Sequence, residues 1–138
     1  MHIKKLLVLF VILISFEVDA QINKEILKQK VSEESKSSNF DSITKSLGYK
    51  GGDKVLVLTI FTINKEGEIV NVKARGPHPL FEKEAIRILQ NTPEIVPENF
   101  KPREEDPKFS LPITFVIETE RQKAKRIKKE NRNRKSKN

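Results

Sequence analysis

The chain has no cysteine and only two histidines, His2 and His78, among its 138 residues. Without cysteine, disulfides, thiolate metal sites and cysteine nucleophiles are excluded. No P-loop, GxGxxG or GxSxG pattern occurs, so the common phosphate cradles and serine-hydrolase elbows are missing as well. The longest apolar run, Leu6 to Phe16, has eleven residues, whereas a bilayer-spanning helix needs about twenty.

That short run has a meaning of its own. Lys4 and Lys5 precede it, and Val18-Asp19-Ala20 follows it, with Val and Ala three and one residues before Gln21. This is the layout of a secretory signal peptide, and it predicts cleavage after Ala20 and export to the periplasm. The alternative is an uncleaved inner-membrane anchor extended through Glu17 and Asp19, whose carboxylates speak against it. No cysteine stands at the cut to carry a lipid. Removal of the leader would leave His78 as the single imidazole.

The net charge of +8 is unevenly spread. Residues 1–20 hold two bases and two acids, residues 21–118 hold fifteen of each, and residues 119–138 hold ten bases against two acids. The tail therefore supplies all the excess, while the body is neutral. A nucleic-acid-binding domain would interleave its bases with aromatics on a structured face. Here they sit in a tail whose apolar residues are Ala124 and Ile127, so no nucleic-acid partner is expected. The tail reads as solvated and mostly disordered, with loose contact to an anionic envelope surface as its sharper alternative.

Between leader and tail the periodicity changes twice. Ile22, Ile26, Leu27 and Val31, and then Phe40, Ile43 and Leu47, repeat at near-helical spacing within the polar segment 21–53. Two short amphipathic helices are predicted, joined by "SEESKSSN", the second capped by Asn39 or Ser38 and stopped by Gly48. Val55 to Ile63 is rich in β-branched and aromatic residues, "NKEG" offers a tight turn with Gly67 free to take positive φ, and Glu68 to Ala74 alternates on the way back. This is a β-hairpin. Leu56, Leu58 and Ile60 oppose Val57, Phe61 and Ile63 across the first strand, which predicts a central strand covered on both sides at its beginning.

"RGPHPLFEKEAIRIL", Arg75 to Leu89, is read as the entrance to a helix. Phe81, Ala85, Ile88 and Leu89 share one helical face, Pro79 suits the first turn, and Glu82 and Glu84 meet the positive end of the dipole. The helix is predicted to end near Asn91. "TPEIVPENFKPREEDP" then places four prolines in sixteen residues, a stiff extended connection. Strict alternation of Phe109, Leu111, Ile113, Phe115 and Ile117 gives a third strand with one buried face. A helix between the second and third strands favours a right-handed crossover. The expected fold is therefore α+β: a ββαβ unit with a three-stranded antiparallel sheet of order 2-1-3, one helix packed on it, and short helices before it.

Candidate chemistry is sparse. A general base needs an orienting partner and a nucleophile or water, and His78, between two prolines in a strand-to-helix turn, has none in the sequence. It is read as a surface turn residue. "REED", Arg103 to Asp106, lacks EF-hand spacing and reads as a solvated loop. Glu82 and Glu84 look paired, but residues two apart on a helix do not face each other. No catalytic residue, metal or cofactor is expected, and the chain is not read as an enzyme.

Residues 54–118 resemble the C-terminal domain of TonB-type energy transducers, most closely the versions from Bacteroidetes-like bacteria. The resemblance is carried by "IFTINKEGEIVNVKARGPHPLFEKEAIRILQNTPEIVP" and then "LPITFVI". These follow the family's strand, Asn-x-x-Gly turn, strand, Pro lead-in, acidic-Ala helix, "P…P" connection and Pro-Ile-x-Phe last strand. The transmembrane helix and long Pro-rich arm of the family are replaced by the short apolar leader and about thirty polar residues, and Glu98 stands where the family has glycine after Pro97. The resemblance implies a module that binds the "TonB box" of outer-membrane TonB-dependent receptors by strand addition, in service of transmembrane transport. The competing expectation is a structural or assembly protein that homodimerises, or docks on a scaffold, through the same sheet edge. A 65-residue ββαβ unit buries only ~60% of its unfolded surface, so it needs the residue 21–47 helices or a second copy.

The expected attachment site follows from one proline. In a 2-1-3 sheet the third strand is an edge. Pro112 has no N–H to donate and is tolerated there only if its side of the backbone faces outward. Backbone groups alternate in direction, so Ser110, Pro112, Thr114 and Val116 are predicted to face outward and to receive the partner.

Overall fold

A computed structural model describes residues 22–101 and 107–137. The leader and the "REED" motif lie outside the described residues. The elements are α1 (Lys24–Glu34), α2 (Ser38–Ser46), β1 (Lys54–Ile63), β2 (Ile69–Arg75), α3 (Pro79–Gln90), a 3-10 turn at Pro93–Ile95, β3 (Lys108–Val116) and α4 (Glu120–Lys135). The three strands form one antiparallel sheet of order β2-β1-β3. The fold is α+β.

Local chemistry sets the helix ends. Asn23 caps α1 by accepting from the Ile26 N–H at 3.3 Å, and Leu27 and Val31, one turn apart, enter the core. α2 is capped by Ser37, whose Oγ accepts from the Phe40 N–H at 3.1 Å. The cap thus sits before the predicted Ser38 or Asn39, because only from Ser37 does the side chain reach the third N–H of the helix. Asn39 instead donates to Glu84 Oε1 at 3.4 Å. The end of α2 is a Schellman motif: Gly48, at φ +77°, donates to Lys45 O, and Tyr49 donates to Thr44 O at 2.9 Å.

In the hairpin Asn64 Oδ1 accepts from both Glu66 and Glu68 N–H groups, and Gly67 takes φ +79°. Beyond the turn the β1–β2 register slips between Ile60 and Thr62. Asn71, at φ +54°, lies beside the slip and donates to Thr62 Oγ1 at 3.2 Å. This is a bulge that alternation alone does not reveal.

The core lies between one face of the sheet and α1, α2 and α3. Phe40 of α2 stacks on Phe115 of β3 with ring centroids 4.9 Å apart, and Phe81 of α3 lies 5.9 Å from Phe40. Val55, Val57, Phe61 and Ile63 of β1 are buried against them. At the rim of this layer an ionic tie joins α3 to α1. Arg87 Nη2 reaches Glu84 at 2.7 Å and Glu34 of α1 at 2.8 Å. Hydrogen bonding to Glu84, then to Glu34, holds the guanidinium more firmly protonated than usual.

Two further expectations are corrected. β1 is central, but its second side is not covered among the described residues: Leu56 and Leu58 are each 52% exposed and Ile60 50%. All three core helices spend their apolar residues on the first side, Leu27, Phe40 and Phe81 among them. The tail, expected to be disordered, forms α4. Its start is a capping box, Thr119 Oγ1 accepting from Gln122 N–H at 3.2 Å while Gln122 Oε1 accepts from Thr119 N–H at 2.9 Å. Arg126 pairs with Glu118 at 3.1 Å and with Glu130 at 3.2 Å, and Arg132, Arg134 and Lys135 sit at the negative end of the dipole. No residue of α4 is buried. It is a helix held by caps and charges, which is why composition does not show it.

Candidate functional site

Among the described residues, the β3 edge is where backbone groups are left without a partner. β3 pairs with β1 from Lys108↔Thr62 to Val116↔Lys54. At one end Ile117 N–H donates to Asp53 O at 2.9 Å; at the other Ile63 N–H donates to Pro107 O at 3.3 Å. Antiparallel ladders alternate bonded and non-bonded pairs, so the odd residues 107 to 117 bond to β1 and the even ones face away. Ser110, Pro112, Thr114 and Val116 all lie on the outward row. They offer four carbonyls and three N–H groups, and their side chains are exposed.

This edge is the floor of a groove. A cavity of about 810 Å³ runs between it and α1, with Leu27 and Val31 on the helix side and Leu111, Ile113, Pro112 and Thr114 on the strand side. Lys24, Lys28 and Lys36 stand along its rim, and Glu118 and Gln122 close one end. A second cavity of about 770 Å³ continues along the strand past Ser110 and Phe109 towards Glu94 and Pro97. The Pro-rich connection helps build that end. Ile95 is buried, and its carbonyl accepts from Asn23 N–H at 2.8 Å, which seats the start of α1 beside the groove.

The other singled-out residues have structural duties. His78 is the N-cap of α3: its Nδ1 accepts from Leu80 N–H at 3.1 Å and its carbonyl from Phe81 N–H at 3.1 Å. Its Nδ1 is thus engaged in holding the start of α3. Glu82 and Glu84 are separated as helix geometry requires. Glu82 Oε1 accepts from Gly76 N–H at 3.0 Å, and Glu84 belongs to the Arg87 tie. Among the described residues no group of acids and histidines is placed to hold a metal ion. The helix side of the groove is a feature that reading the strand alone missed. Its signal was the i, i+4 pair Leu27 and Val31, which the sequence places on a helix but not beside β3.

No family model, curated protein or solved structure matches the chain. The resemblance to TonB C-terminal domains therefore rests on the residues quoted for it.

Proposed function

We propose that the chain is an exported peptide-binding module that accepts an extended segment of an outer-membrane TonB-dependent receptor along β3. One observation carries this reading: the backbone row from Ser110 to Val116, unpaired among the described residues, lies along a groove walled by Leu27 and Val31. A strand laid antiparallel or parallel there completes a fourth position in the sheet. Its alternate side chains would meet the Leu27–Val31 wall and the open side of the sheet, which supplies selectivity that backbone pairing lacks. Each main-chain bond contributes roughly 0.5–1.5 kcal/mol net, so the groove walls decide which sequence binds.

The test is a titration of the isotopically labelled chain with peptides spanning the N-terminal box of TonB-dependent receptors from the same envelope. Amide signals of Ser110, Thr114 and Val116 should shift, and those of Leu111 and Ile113 should stay protected. If every box peptide leaves the β3 amides unmoved, the receptor reading fails. Concentration-dependent shifts without peptide would instead assign the edge to a second copy.

A further inference from the structure

The sheet has a second side, and its chemistry is one-signed. Leu56, Leu58 and Ile60 of β1 and Val116 of β3 are each 50–52% exposed, four of the five large apolar residues that stand out from the described chain. The register makes them neighbours: Leu56 lies opposite Thr114, Leu58 opposite Pro112, and Lys54 opposite Val116. Arg75 pairs with Leu58, Lys73 with Ile60, and Lys108 with Thr62. Lys54, Lys73, Arg75 and Lys108 thus ring an aliphatic stripe, and none of the three strands contains an aspartate or a glutamate.

That pattern selects its occupant. A second copy laid face to face would set four bases against four with no acid to pair them, which is repulsive. A protein anchor needs a pocket for a large side chain, and the three aliphatic residues of β1 line neither groove. An anionic bilayer surface asks for what is present. It takes aliphatic side chains into the headgroup boundary, and basic residues around them add about 1 kcal/mol each near a negative surface.

We propose that the open face of the sheet, Leu56, Leu58, Ile60 and Val116 within the ring of Lys54, Lys73, Arg75 and Lys108, is an adhesion surface for anionic phospholipid. This leaves the outward backbone row of β3 free, so it does not rest on the peptide reading. A module lying on the membrane by this face would present its groove sideways, to segments that emerge close to the lipid.

The experiment uses the chain from Gln21 onward, which holds every described element, floated with phosphatidylcholine vesicles with and without phosphatidylglycerol. The chain should float with the anionic vesicles alone and release as salt is raised. Leu58→Thr with Ile60→Thr keeps β-propensity at two exposed sites, so the melting temperature should hold while the vesicle partition coefficient falls about tenfold or more. Lys73→Gln with Arg75→Gln should remove much of the salt-sensitive part. The proposal is overturned if the parent chain does not float. It is equally overturned if the threonine variant floats as the parent does, which would assign any lipid contact to α4. Loss of receptor-peptide binding in the threonine variant, with flotation unchanged, would make the face a protein contact instead.

Discussion

Pro112 lies opposite Leu58 at a non-bonded position of the β1–β3 ladder, so its ring nitrogen faces away from the strand that holds it. An imide in the inward row would delete a bond from the centre of the sheet. In the outward row it removes a donor only from the free edge. The same residue also blunts that edge: a partner strand must leave one of its carbonyls without a donor opposite Pro112, which discourages indiscriminate pairing along β3.

A second proline separates the two rows. Thr114→Pro removes an outward N–H and should change stability by no more than about 1 kcal/mol, while strand addition at β3 is lost. Ile113→Pro removes both an inward N–H and a buried side chain beneath the helices, and should cost about 2–5 kcal/mol or more. Chemical denaturation of the two variants reads the difference. Equal loss of stability in both would mean that the ladder is bonded in the other phase.

The strand phase was legible because Pro112 and the alternation of Phe109 to Ile117 both report on β3 alone. Strand order was legible because a helix joins the second and third strands. What escaped the sequence depends on contacts between distant segments. Leu56, Leu58 and Ile60 look like one half of a doubly covered strand, yet whether anything covers them depends on where three helices spend their apolar faces. The β1–β2 bulge at Asn71 leaves little mark: asparagine tolerates positive φ and is depleted in strands, but one such residue in an alternating run does not locate a register slip. α4 escaped because its stabilisation is a capping box and ion pairs rather than an apolar stripe.

The N-terminal helices belong to the core, and Phe40 measures by how much. It is 1% exposed and contacts both Phe81 and Phe115. Phe40→Ala should cost about 3–5 kcal/mol. Leu58→Ala, on the open face, should cost under about 1 kcal/mol. Urea midpoints would show the contrast, and a mild Phe40→Ala phenotype would mean that α2 is peripheral to the sheet.

His78 contributes through its place at the start of α3. His78→Ala should destabilise the domain by about 1 kcal/mol, and His78→Asn should restore most of that, because asparagine is a strong N-cap. Neither should change peptide affinity measured on folded protein. A loss of binding without loss of stability would place the imidazole at the partner instead.

The last prediction concerns how α4 is tied down. Lys123 Nζ lies 2.9 Å from Asp41 Oδ2, and Lys45 lies 3.0 Å from the same oxygen. These hydrogen bonds, Lys123's first, hold the Asp41 carboxyl below the usual carboxylate range. A depressed carboxylate stabilises the folded state fully above its unfolded pKa of about 4, and that stabilisation is lost as pH falls through the lower folded value. The tie between α2 and α4 should therefore be intact at neutral pH and loosen below about pH 4. Because α4 buries no residue and exposed pairs contribute only about 0–1 kcal/mol, the consequence should be local. Asp41→Asn at pH 7 should speed amide exchange across Glu120 to Arg126 while leaving the exchange of β1 unchanged. Ending the chain after Thr119 should barely move the melting temperature. A shared loss of protection in β1 and α4 would show instead that α4 is integral to the core.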